Sequence, residues 1–321
     1  MVLSAKEEAG PQGRTFCFGQ PDFNLDVEFQ RFCETESFGT EHHEPKKALT
    51  ADEKRALDIV KGGTRKLTVG YEVALPWKEG EPSLPNNRLM AEHRLKGLLR
   101  RFQQDPAFEK EYRAAIEKYA AEGYARKLTD PKELAVDDQY LLAHFGVYKK
   151  SAKVKKVRIV FDSAAPFRGK SLNDALLTGP VLQNSLAAVL IRFREGAVAF
   201  TADIEAMFSR IRLREADARL HRFLFQDPDS DIIDVYQMDR LTFGDKCSPF
   251  VAIHTLRRTA LDYGEGDEEV VKAIRDNTYV DDWLESRKSV PEAVTVAKKV
   301  TAVLEKGDFK LRVGCQIPVN L

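Results

Sequence analysis

The sequence predicts an α+β protein in which short antiparallel strands are combined with amphipathic helices. Three observations support this class: helical segments with one apolar face, short alternating segments, and strand pairs that have the pattern of hairpins. Such a mixture is typical of α+β proteins rather than of a doubly wound parallel sheet. At 321 residues, the chain is long enough for two or three subdomains, each with its own core.

Helices are predicted where apolar residues recur on one face and where capping residues mark an end. Thr50 and Glu53 have the spacing of a capping box, and Asp105 precedes Pro106 as an N-cap precedes a proline in the first turn. Gly307 is the expected end of the last helix. In chain order, the predicted helices are 50–60, 88–104, 106–123, 181–195, 214–225, 248–263, 268–275 and 289–306.

Strands are predicted where apolar and polar residues alternate, or where a short apolar run lies between turn residues. The segment 66–77 alternates and ends at Pro76, and the segments 232–238 and 240–243 have the pattern of a hairpin. The further predicted strands are 139–148, 154–162, the start of 197–213, a hairpin within 276–286, and the short apolar segment near the end of the chain.

Two of these strand segments end in acidic residues. Asp203 follows an apolar run, and Tyr279-Val280-Asp281-Asp282 lies between two short apolar stretches. Three carboxylates that come together repel one another unless cations neutralise them, and Mg²⁺ is the hard, oxygen-binding cation best suited to do so. Two such ions roughly 3.5–4 Å apart support in-line phosphoryl transfer. The pattern therefore predicts a nucleotidyl-transfer site.

Each acidic motif also has a plainer interpretation. Asp281 and Asp282 alone are most often residues of a hairpin turn, because aspartate suits turn positions. Asp203 alone fits a helix N-cap that follows a strand. The two motifs favour a catalytic site only together, and with the further features described below.

Composition restricts the class of protein more than it identifies partners. The apolar fraction of 43% and the charged fraction of 31% fit a globular chain and exclude a wholly disordered one. Lys plus Arg and Asp plus Glu both number 50, so the net charge of zero indicates no partner. Locally, residues 149–170 carry eight cationic residues and one acidic residue, Asp162, which is typical of a solvated face or of a phosphate-backbone binder. The cationic residues are Lys149, Lys150, Lys153, Lys155, Lys156, Arg158, Arg168 and Lys170.

Cysteine usage and the absence of long apolar runs predict a soluble, intracellular protein. The four cysteines lack Cys-x-x-Cys spacing, which argues against a zinc site or a disulfide framework and for a reducing compartment. The first residues have no apolar core of signal-peptide length, and no stretch approaches about 18 apolar residues. We therefore expect no membrane partner, and nothing in the sequence separates cytoplasm from nucleus or indicates an oligomeric state.

A series of ordered motifs over roughly residues 30–312 resembles the reverse transcriptase segment of BEL/Pao-type long-terminal-repeat retrotransposon polyproteins. Each motif alone is common, but their joint order is specific. Ahead of the core they are Tyr71-Glu-Val-Ala-Leu-Pro-Trp-Lys78, Leu84-Pro-Asn-Asn-Arg88 and Gly123-Tyr-Ala. Within it they are Val157-Arg-Ile-Val-Phe-Asp162, Ser171-Leu-Asn-Asp174, Leu176-Leu-Thr-Gly-Pro180, Phe200-Thr-Ala-Asp-Ile-Glu-Ala-Met-Phe208, Phe243-Gly-Asp-Lys-Cys-Ser-Pro249, Tyr279-Val-Asp-Asp282 and Gly307-Asp-Phe-Lys-Leu311.

This resemblance implies a right-hand polymerase fold with fingers and a palm, in which helices back an antiparallel palm sheet. It implies the following division of the chain: a loose leader at 1–48, a helical extension at 49–137, a fingers-like part at 138–196, a palm at 197–312 and a truncated tail at 313–321. Because the chain stops before any thumb, connection or ribonuclease H segment, we expect limited processivity and leave the activity of the isolated chain open.

The same resemblance implies roles for particular residues. Asp203, Asp281 and Asp282 would be the catalytic acids, and with the backbone carbonyl of Ile204 they would bind two Mg²⁺ ions, or Mn²⁺ in their place. Arg158, with Lys155 or Lys156, would hold the triphosphate of an incoming dNTP. Phe208 would be a steric gate that favours deoxynucleotides, its alternative being a core aromatic, and Phe243 and Gly244 would border the nucleotide and the template.

Some positions depart from the family pattern, which keeps an alternative open. Phe243 stands where retroviral relatives carry glutamine, and Leu142-Ala-His-Phe145 is looser than the expected Pro-His-His pattern. The predicted partners are an RNA or DNA template-primer and dNTP. The alternative is a catalytically inactive retroelement remnant that still binds nucleic acid through the basic cluster. The residues assigned to nucleic-acid binding are Lys149, Lys150, Lys153, Arg168 and Lys170.

Overall fold

The computed structural model describes residues 48–80, 82–134, 140–148, 156–228 and 230–318. These residues form a mixed α and β fold with small, mostly antiparallel sheets. The predicted mixed class with antiparallel pairing is therefore confirmed. The predicted leader up to residue 47 lies outside the described residues, as do four members of the basic cluster, Lys149, Lys150, Lys153 and Lys155.

Two of the first three helices begin where their capping residues predict. Helix α1 (Ala51–Gly63) has a complete capping box, in which Thr50 Oγ1 accepts from Glu53 N at 3.2 Å and Glu53 Oε2 accepts from Thr50 N at 2.8 Å. Helix α2 (Arg88–Gln104) has the predicted bounds. Asp105 Oδ1 accepts from Phe108 N at 3.0 Å and so begins α3 (Pro106–Ala121).

The predicted strand at 66–77 is two short strands. Strand β1 (Arg65–Lys66) and β2 (Tyr71–Val73) pair antiparallel around a turn in which Gly70 has a φ of +76°. After β2 the chain is held by a side chain instead of a sheet: the buried Asp217 carboxylate accepts from Leu75 N at 2.9 Å and from Trp77 Nε1 at 2.8 Å. The alternation of apolar and polar residues does not reveal such a side-chain contact, and it therefore predicts a strand longer than those that form.

The remaining elements follow in chain order. The helices are α4 (Pro131–Leu134), α5 (Leu172–Ala175), α6 (Leu186–Arg192), α7 (Glu215–Ala218), α8 (Ser248–Tyr263), α9 (Glu268–Asn277) and α10 (Val290–Lys306). The strands are β3 (Ala125–Lys127), β4 (His144–Tyr148), β5 (Val157–Phe161), β6 (Val198–Ile204), β7 (Arg212–Leu213), β8 (Arg222–Gln226), β9 (Ile233–Met238), β10 (Thr278–Tyr279), β11 (Asp282–Arg287) and β12 (Leu311–Pro318). Two 3₁₀ turns occupy Phe208–Arg210 and Arg219–His221.

A four-stranded antiparallel sheet of order β10-β11-β6-β12 carries the acidic motifs. Helix α10 contacts β11 and β6, and α9 contacts both α8 and α10, so three helices form the layer behind this sheet. Trp283 of β11 is 1% exposed and meets Phe200 of β6 edge-on, with ring centroids 5.2 Å apart. Because this face of the sheet is covered by helices, the strand ends are held rigidly.

Three smaller sheets surround it. Strands β4 and β5 form a hairpin, β3, β9 and β8 form an antiparallel sheet, and β2 pairs with β7 in parallel. The hairpin packs through buried aromatic residues on α3, β4 and β8. Tyr112, His144 and Phe225 are in mutual ring contact there, with centroids about 6 Å apart.

Two predictions in the middle of the chain are wrong. The segment 214–225, predicted as a helix, contains the short helix α7, a 3₁₀ turn and strand β8. Apolar residues cover both faces of β8, so their spacing also fits a helix, but pairing with β9 decides the outcome. The segment 240–243 is not the hairpin partner of β9, because the sheet neighbours of β9 are β8 and β3.

Among the residues that the structure describes, no helix combines the length and the apolar character needed to cross a membrane.

Candidate active site

Asp203 and Asp282 lie on neighbouring strands and face each other. Asp203 is the penultimate residue of β6, Asp282 is the first residue of β11, and the two are direct partners in the antiparallel register. Directly opposed residues have Cα atoms roughly 4.5–5.5 Å apart and side chains on the same face of the sheet. Two residues 79 positions apart are thus neighbours in space, as the sequence predicts.

Asp281 lies in the two-residue turn that joins β10 to β11. Its carbonyl oxygen accepts a hydrogen bond from Ile204 N at 2.7 Å, which ties the turn to the end of β6. Val280, the other turn residue, has a φ of +56°. A hairpin turn with positive φ at its first central position normally has glycine there, so a β-branched residue in this conformation is an outlier. Such strain clusters at functional sites, where the surrounding structure holds it in place.

The electrostatics of the acidic group follow from this proximity. The pKa of Asp282 is raised, first by partial desolvation and then by the negative charges of Asp281 and Asp203. On the other edge of β6, Arg312 is the register partner of Asp203, and it forms an ion pair with Glu205 at 2.6 Å. Asp203 and Asp282 are exposed and Asp281 is half-buried, so the group forms an anionic surface that a ligand can reach.

The residues fit a hard divalent cation by their chemistry. Carboxylate oxygens are the ligands that Mg²⁺ and Mn²⁺ prefer, and a bound cation would relieve the repulsion that raises the pKa of Asp282. Within the described part of the chain, however, no three His, Cys, Asp or Glu side chains form a group ready to hold a metal ion. The assignment of Asp203, Ile204, Asp281 and Asp282 as metal ligands therefore stays a prediction.

Phe208 and Phe243 form an aromatic pair after the end of β6. Their ring centroids are 4.3 Å apart at an interplanar angle of 46°. Phe208 is 5% exposed whereas Phe243 is 52% exposed, so the buried Phe208 ring packs beneath the exposed Phe243 ring. Ala206, with a φ of +52°, turns the chain between Asp203 and this pair. The burial of Phe208 fits both the gate and the core-aromatic interpretations.

Arg158 reaches the same aromatic pair from the β4–β5 hairpin. It lies on the exposed face of β5, with its guanidinium carbon 5.6 Å from the centre of the Phe243 ring, a cation–π distance. Lys156, just before β5, is also exposed, and Lys155 lies outside the described residues. The structure thus brings Arg158 to Phe243 and Phe208.

Gly244 permits a very close approach between two parts of the site. A Cβ atom at Gly244 would lie 2.1 Å from the Phe161 carbonyl oxygen, closer than any side chain allows. Asn173 fixes the same loop from the other side: its Nδ2 donates to Gly244 O at 3.1 Å, and its Oδ1 accepts from Lys246 N at 2.9 Å. The loop that carries Phe243 is therefore pressed against the end of β5.

Arg168 and Lys170 are the described remainder of the predicted nucleic-acid-binding set. Both are exposed, on a tight turn closed by reciprocal backbone hydrogen bonds between Phe167 and Lys170. Arg168 has a φ of +50° and lies over the Phe167 ring at 5.4 Å. Their exposure fits a solvated face as well as a phosphate-binding surface, so the role in nucleic-acid binding stays a prediction.

A buried histidine–aspartate pair beneath the Phe243 loop is a feature that the sequence reasoning missed. Asp245 accepts hydrogen bonds from His221 Nε2 at 2.9 Å, Ser163 Oγ at 2.7 Å and Thr242 Oγ1 at 3.1 Å. His221 Nδ1 donates to the Asp217 carbonyl oxygen at 2.9 Å. Both ring nitrogens face acceptors, and although burial opposes the charged form, the neighbouring Asp245 carboxylate raises the pKa of His221. The only sequence signal was Asp245 within the Phe243–Pro249 motif, with nothing to connect it to His221.

Comparisons with known proteins give a structural likeness but no sequence match. No protein-family model matches the chain, and no curated protein matches it. Among solved structures, the chain is similar to the crystal structure of the protease–reverse transcriptase of prototype foamy virus, with a TM-score of 0.46 and 17% sequence identity. The match covers 64% of this chain and 23% of that chain, so this chain spans less than a quarter of that protein's length in the match.

Proposed function

We propose that this chain is an RNA-directed DNA polymerase domain that transfers a nucleotide from a dNTP to a primer 3′-hydroxyl. The observation that carries this proposal is the register of β6 and β11, in which Asp203 faces Asp282 while Asp281 occupies the adjoining turn. Two exposed acids on opposed strand ends, with a third in the adjoining turn, are suited to hold cations against phosphate groups.

The finer architecture belongs to the same proposal. The four-stranded sheet with helices α8, α9 and α10 behind it would be the palm, and the β4–β5 hairpin would be the fingers. The order of the motifs along the chain supports a reverse transcriptase of the BEL/Pao type. In this arrangement the Phe243–Pro249 motif lies between palm and fingers, where Gly244 contacts Phe161 of the hairpin.

Asp203 and Asp281, with the Ile204 carbonyl, would hold Mg²⁺, and Asp282 would add negative charge beside them. Bound there, Mg²⁺ would polarise the phosphoryl oxygens and activate the attacking hydroxyl. The protein residues bind and orient. Asp203 is fixed by the strand on each side of β6, and Asp281 is fixed by its hydrogen bond from Ile204 N.

The incoming nucleotide would lie between the hairpin and the aromatic pair. Arg158 carries a permanent charge with several N–H donors, which suits a triphosphate. The Phe208–Phe243 pair would lie against the sugar and exclude a ribose 2′-hydroxyl by bulk. Gly244 would let the backbone approach the base pair, because it has no side chain to intervene.

In the reaction, the primer 3′-hydroxyl oxygen forms a bond to the α-phosphorus of the dNTP, and the bond from that phosphorus to the bridging oxygen of pyrophosphate breaks. The hydroxyl proton leaves to solvent or to a nearby base. The contribution of the protein is position and charge rather than covalent chemistry, because phosphoryl transfer requires little else.

Primer extension on an RNA template with Mg²⁺ and dNTPs tests the proposal. Asp281→Asn keeps the size of the side chain and removes its charge, and we expect it to abolish extension. Asp58→Asn is the matched control, because Asp58 is exposed on α1 and should leave extension unchanged. Failure of a folded wild-type protein that binds the primer-template to extend it would contradict the proposal.

A second candidate is a non-catalytic nucleic-acid-binding protein. One observation favours it: among the described residues, the acidic side chains do not form a ready metal-binding group. In that case the chain would bind RNA through cations such as Arg168 and Lys170, with an affinity that falls steeply as salt rises. Salt-sensitive binding without metal-dependent synthesis would support this candidate over the polymerase.

A further inference from the structure

The Asn184 side chain joins the loop before α6 to the segment that leads into the acidic hairpin. Its Nδ2 lies 2.8 Å from the Arg275 carbonyl oxygen, 2.8 Å from the Thr278 carbonyl oxygen and 3.4 Å from that of Asp276. These carbonyls belong to the last turn of α9 and to the first residue of β10. One amide group thus satisfies the end of a helix and holds the start of the strand that follows it.

Arg257 of α8 sets the orientation of this amide. Its Nη2 donates to Asn184 Oδ1 at 3.1 Å and to the Leu182 carbonyl oxygen at 2.7 Å. Since a guanidinium only donates, the oxygen of the amide must face Arg257 and the nitrogen must face the carbonyls. The contact therefore requires an asparagine in this orientation and not merely a polar residue of similar size.

A second side chain forms hydrogen bonds with the same helix end. Arg192, at the end of α6, donates from Nε to Asn277 Oδ1 at 2.8 Å and from Nη2 to the Asp276 carbonyl oxygen. Asn277 in turn donates from Nδ2 to Glu285 Oε2 on β11 at 3.0 Å. Both arms of the hairpin are thereby tied to the region that Asn184 and Arg192 contact.

The turn between those arms needs such support. Strand β10 has only two residues, and Val280 immediately after it holds a positive φ, which is a strained conformation for a residue other than glycine. Val280 and Asn184 line the same small cavity between α8, α9 and the hairpin. On one side the turn is held by the pairing of β11 with β6, and on the other side by the contacts of Asn184.

We infer that Asn184 is a positioning residue that holds the Val280–Asp281 turn in place for catalysis. The role rests on the proposed function, in which Asp281 must lie within a fraction of an ångström of its working position. Asn184 does not touch substrate in this role. It fixes Thr278, and through the two-residue strand it fixes Asp281.

Kinetics of Asn184→Ala and Asn184→Asp in the full chain test this role. Asn184→Asp keeps the volume but replaces the donor with an acceptor that the carbonyls repel. In both variants we expect kcat for primer extension to fall by about tenfold or more, because small displacements of reacting groups have effects of this size. KM for dNTP should change by less than about twofold, since Arg158 and the aromatic pair are untouched. Gln183→Ala, which lines the same cavity, is the control and should leave kcat unchanged.

Hydrogen–deuterium exchange gives a measurement that does not depend on synthesis. Backbone amides of residues 278–284 should exchange faster in both Asn184 variants than in the wild type or Gln183→Ala, while the melting temperatures confirm that all four proteins are folded. Unchanged exchange would overturn the inference, as would faster exchange with an unaltered kcat, or a rise in KM alone. If the wild-type protein makes no product, the proposed function fails, and the exchange data still decide whether Asn184 holds the turn.

Discussion

His221 and Asp245 form a buried ion pair beneath the loop that carries Phe243 and Gly244. Their side chains are 2.9 Å apart between Nε2 and Oδ2, and both are fully buried. Burial opposes the charged form of each group, but the opposite charge of the partner and the hydrogen bond outweigh it. The pKa of His221 is raised and that of Asp245 is lowered. The pair therefore links the Phe243 loop to the 3₁₀ turn at Arg219–His221.

Removing His221 should destabilise the protein strongly. His221→Leu leaves the Asp245 carboxylate buried without its counter-charge, which typically costs about 3–5 kcal/mol. The exposed His93 on α2 is the matched control, and His93→Leu should change the free energy of unfolding by less than about 0.5 kcal/mol. Urea unfolding of both variants measures the difference. Equal stabilities would mean that the pair does not hold the loop.

The pair should also give a characteristic pH dependence of stability. Because the folded pKa of His221 is raised, its contribution is present below the unfolded pKa of histidine and is lost as the pH rises through the folded value. Because the folded pKa of Asp245 is lowered, its contribution is lost as the pH falls through its folded value. Subtracting the unfolding free energies of His221→Leu from those of the wild type should give a plateau that declines at both ends. A difference independent of pH would contradict the ionic state.

His144 should have the opposite dependence. It is buried between α3 and β8, where Nε2 donates to the Leu224 carbonyl oxygen at 2.7 Å and Nδ1 accepts from the Tyr112 hydroxyl. Desolvation lowers the pKa of His144 to about 4. Between the unfolded pKa of about 6.5 and this value, only the unfolded chain binds the proton. The contribution of His144 to the free energy of unfolding therefore falls by roughly 3 kcal/mol as the pH drops.

Replacing this histidine should flatten that slope. His144→Gln removes the titrating group but keeps a side chain that both donates and accepts. Unfolding free energies at several pH values between 7 and 4 should fall less steeply in the variant than in the wild type. A slope as steep as that of the wild type would show that His144 is not the group that titrates.

Local rules predicted much of the fold correctly. The capping box at Thr50, the N-cap at Asp105 and the turn at Asp281 are decided within a few residues, and the structure has helices or a hairpin there. Asp203 and the Asp281–Asp282 pair were expected to come together because both motifs place acids at strand ends, and the register pairs Asp203 with Asp282. Interactions within a few residues are sufficient to predict these elements, since each has capping or turn residues at its ends.

The elements that the sequence did not reveal depend on partners far along the chain. Asp217 accepts hydrogen bonds from Leu75 and Trp77, which lie 140 or more positions earlier in the chain. His221 pairs with Asp245, which lies 24 positions later. The apolar spacing of strand β8 also fits a helix, because other elements cover the strand on both faces. Asn184 carries no signal at all, since its role depends on where the end of α9 lies.

Two glycine-to-alanine substitutions should have opposite effects. Gly244→Ala places a methyl group against the Phe161 carbonyl oxygen, so the backbone must move at a cost of about 1–3 kcal/mol. Gly97→Ala lies in the middle of α2 with nothing within 4 Å of the added atom, and it should stabilise by roughly 0.5–1 kcal/mol through helix propensity. Thermal unfolding of both variants measures the signs. Stabilisation by Gly244→Ala would contradict the close contact between the loop and β5.

Substitution of Phe208 tests whether this residue selects the substrate or only supports the core. If its ring excludes a ribose 2′-hydroxyl, Phe208→Val opens space beside the sugar, and the kcat/KM for a ribonucleotide relative to its deoxynucleotide should rise about tenfold or more. Phe200→Val is the matched control, because Phe200 is also buried but packs on Trp283 and not on Phe243. Both variants should lose stability, since each removes a buried ring, so stability alone cannot separate the two roles. Only a gate makes the sugar preference of the Phe208 variant change while that of the Phe200 variant stays constant. Equal preferences in the two variants would make Phe208 a core residue that supports Phe243.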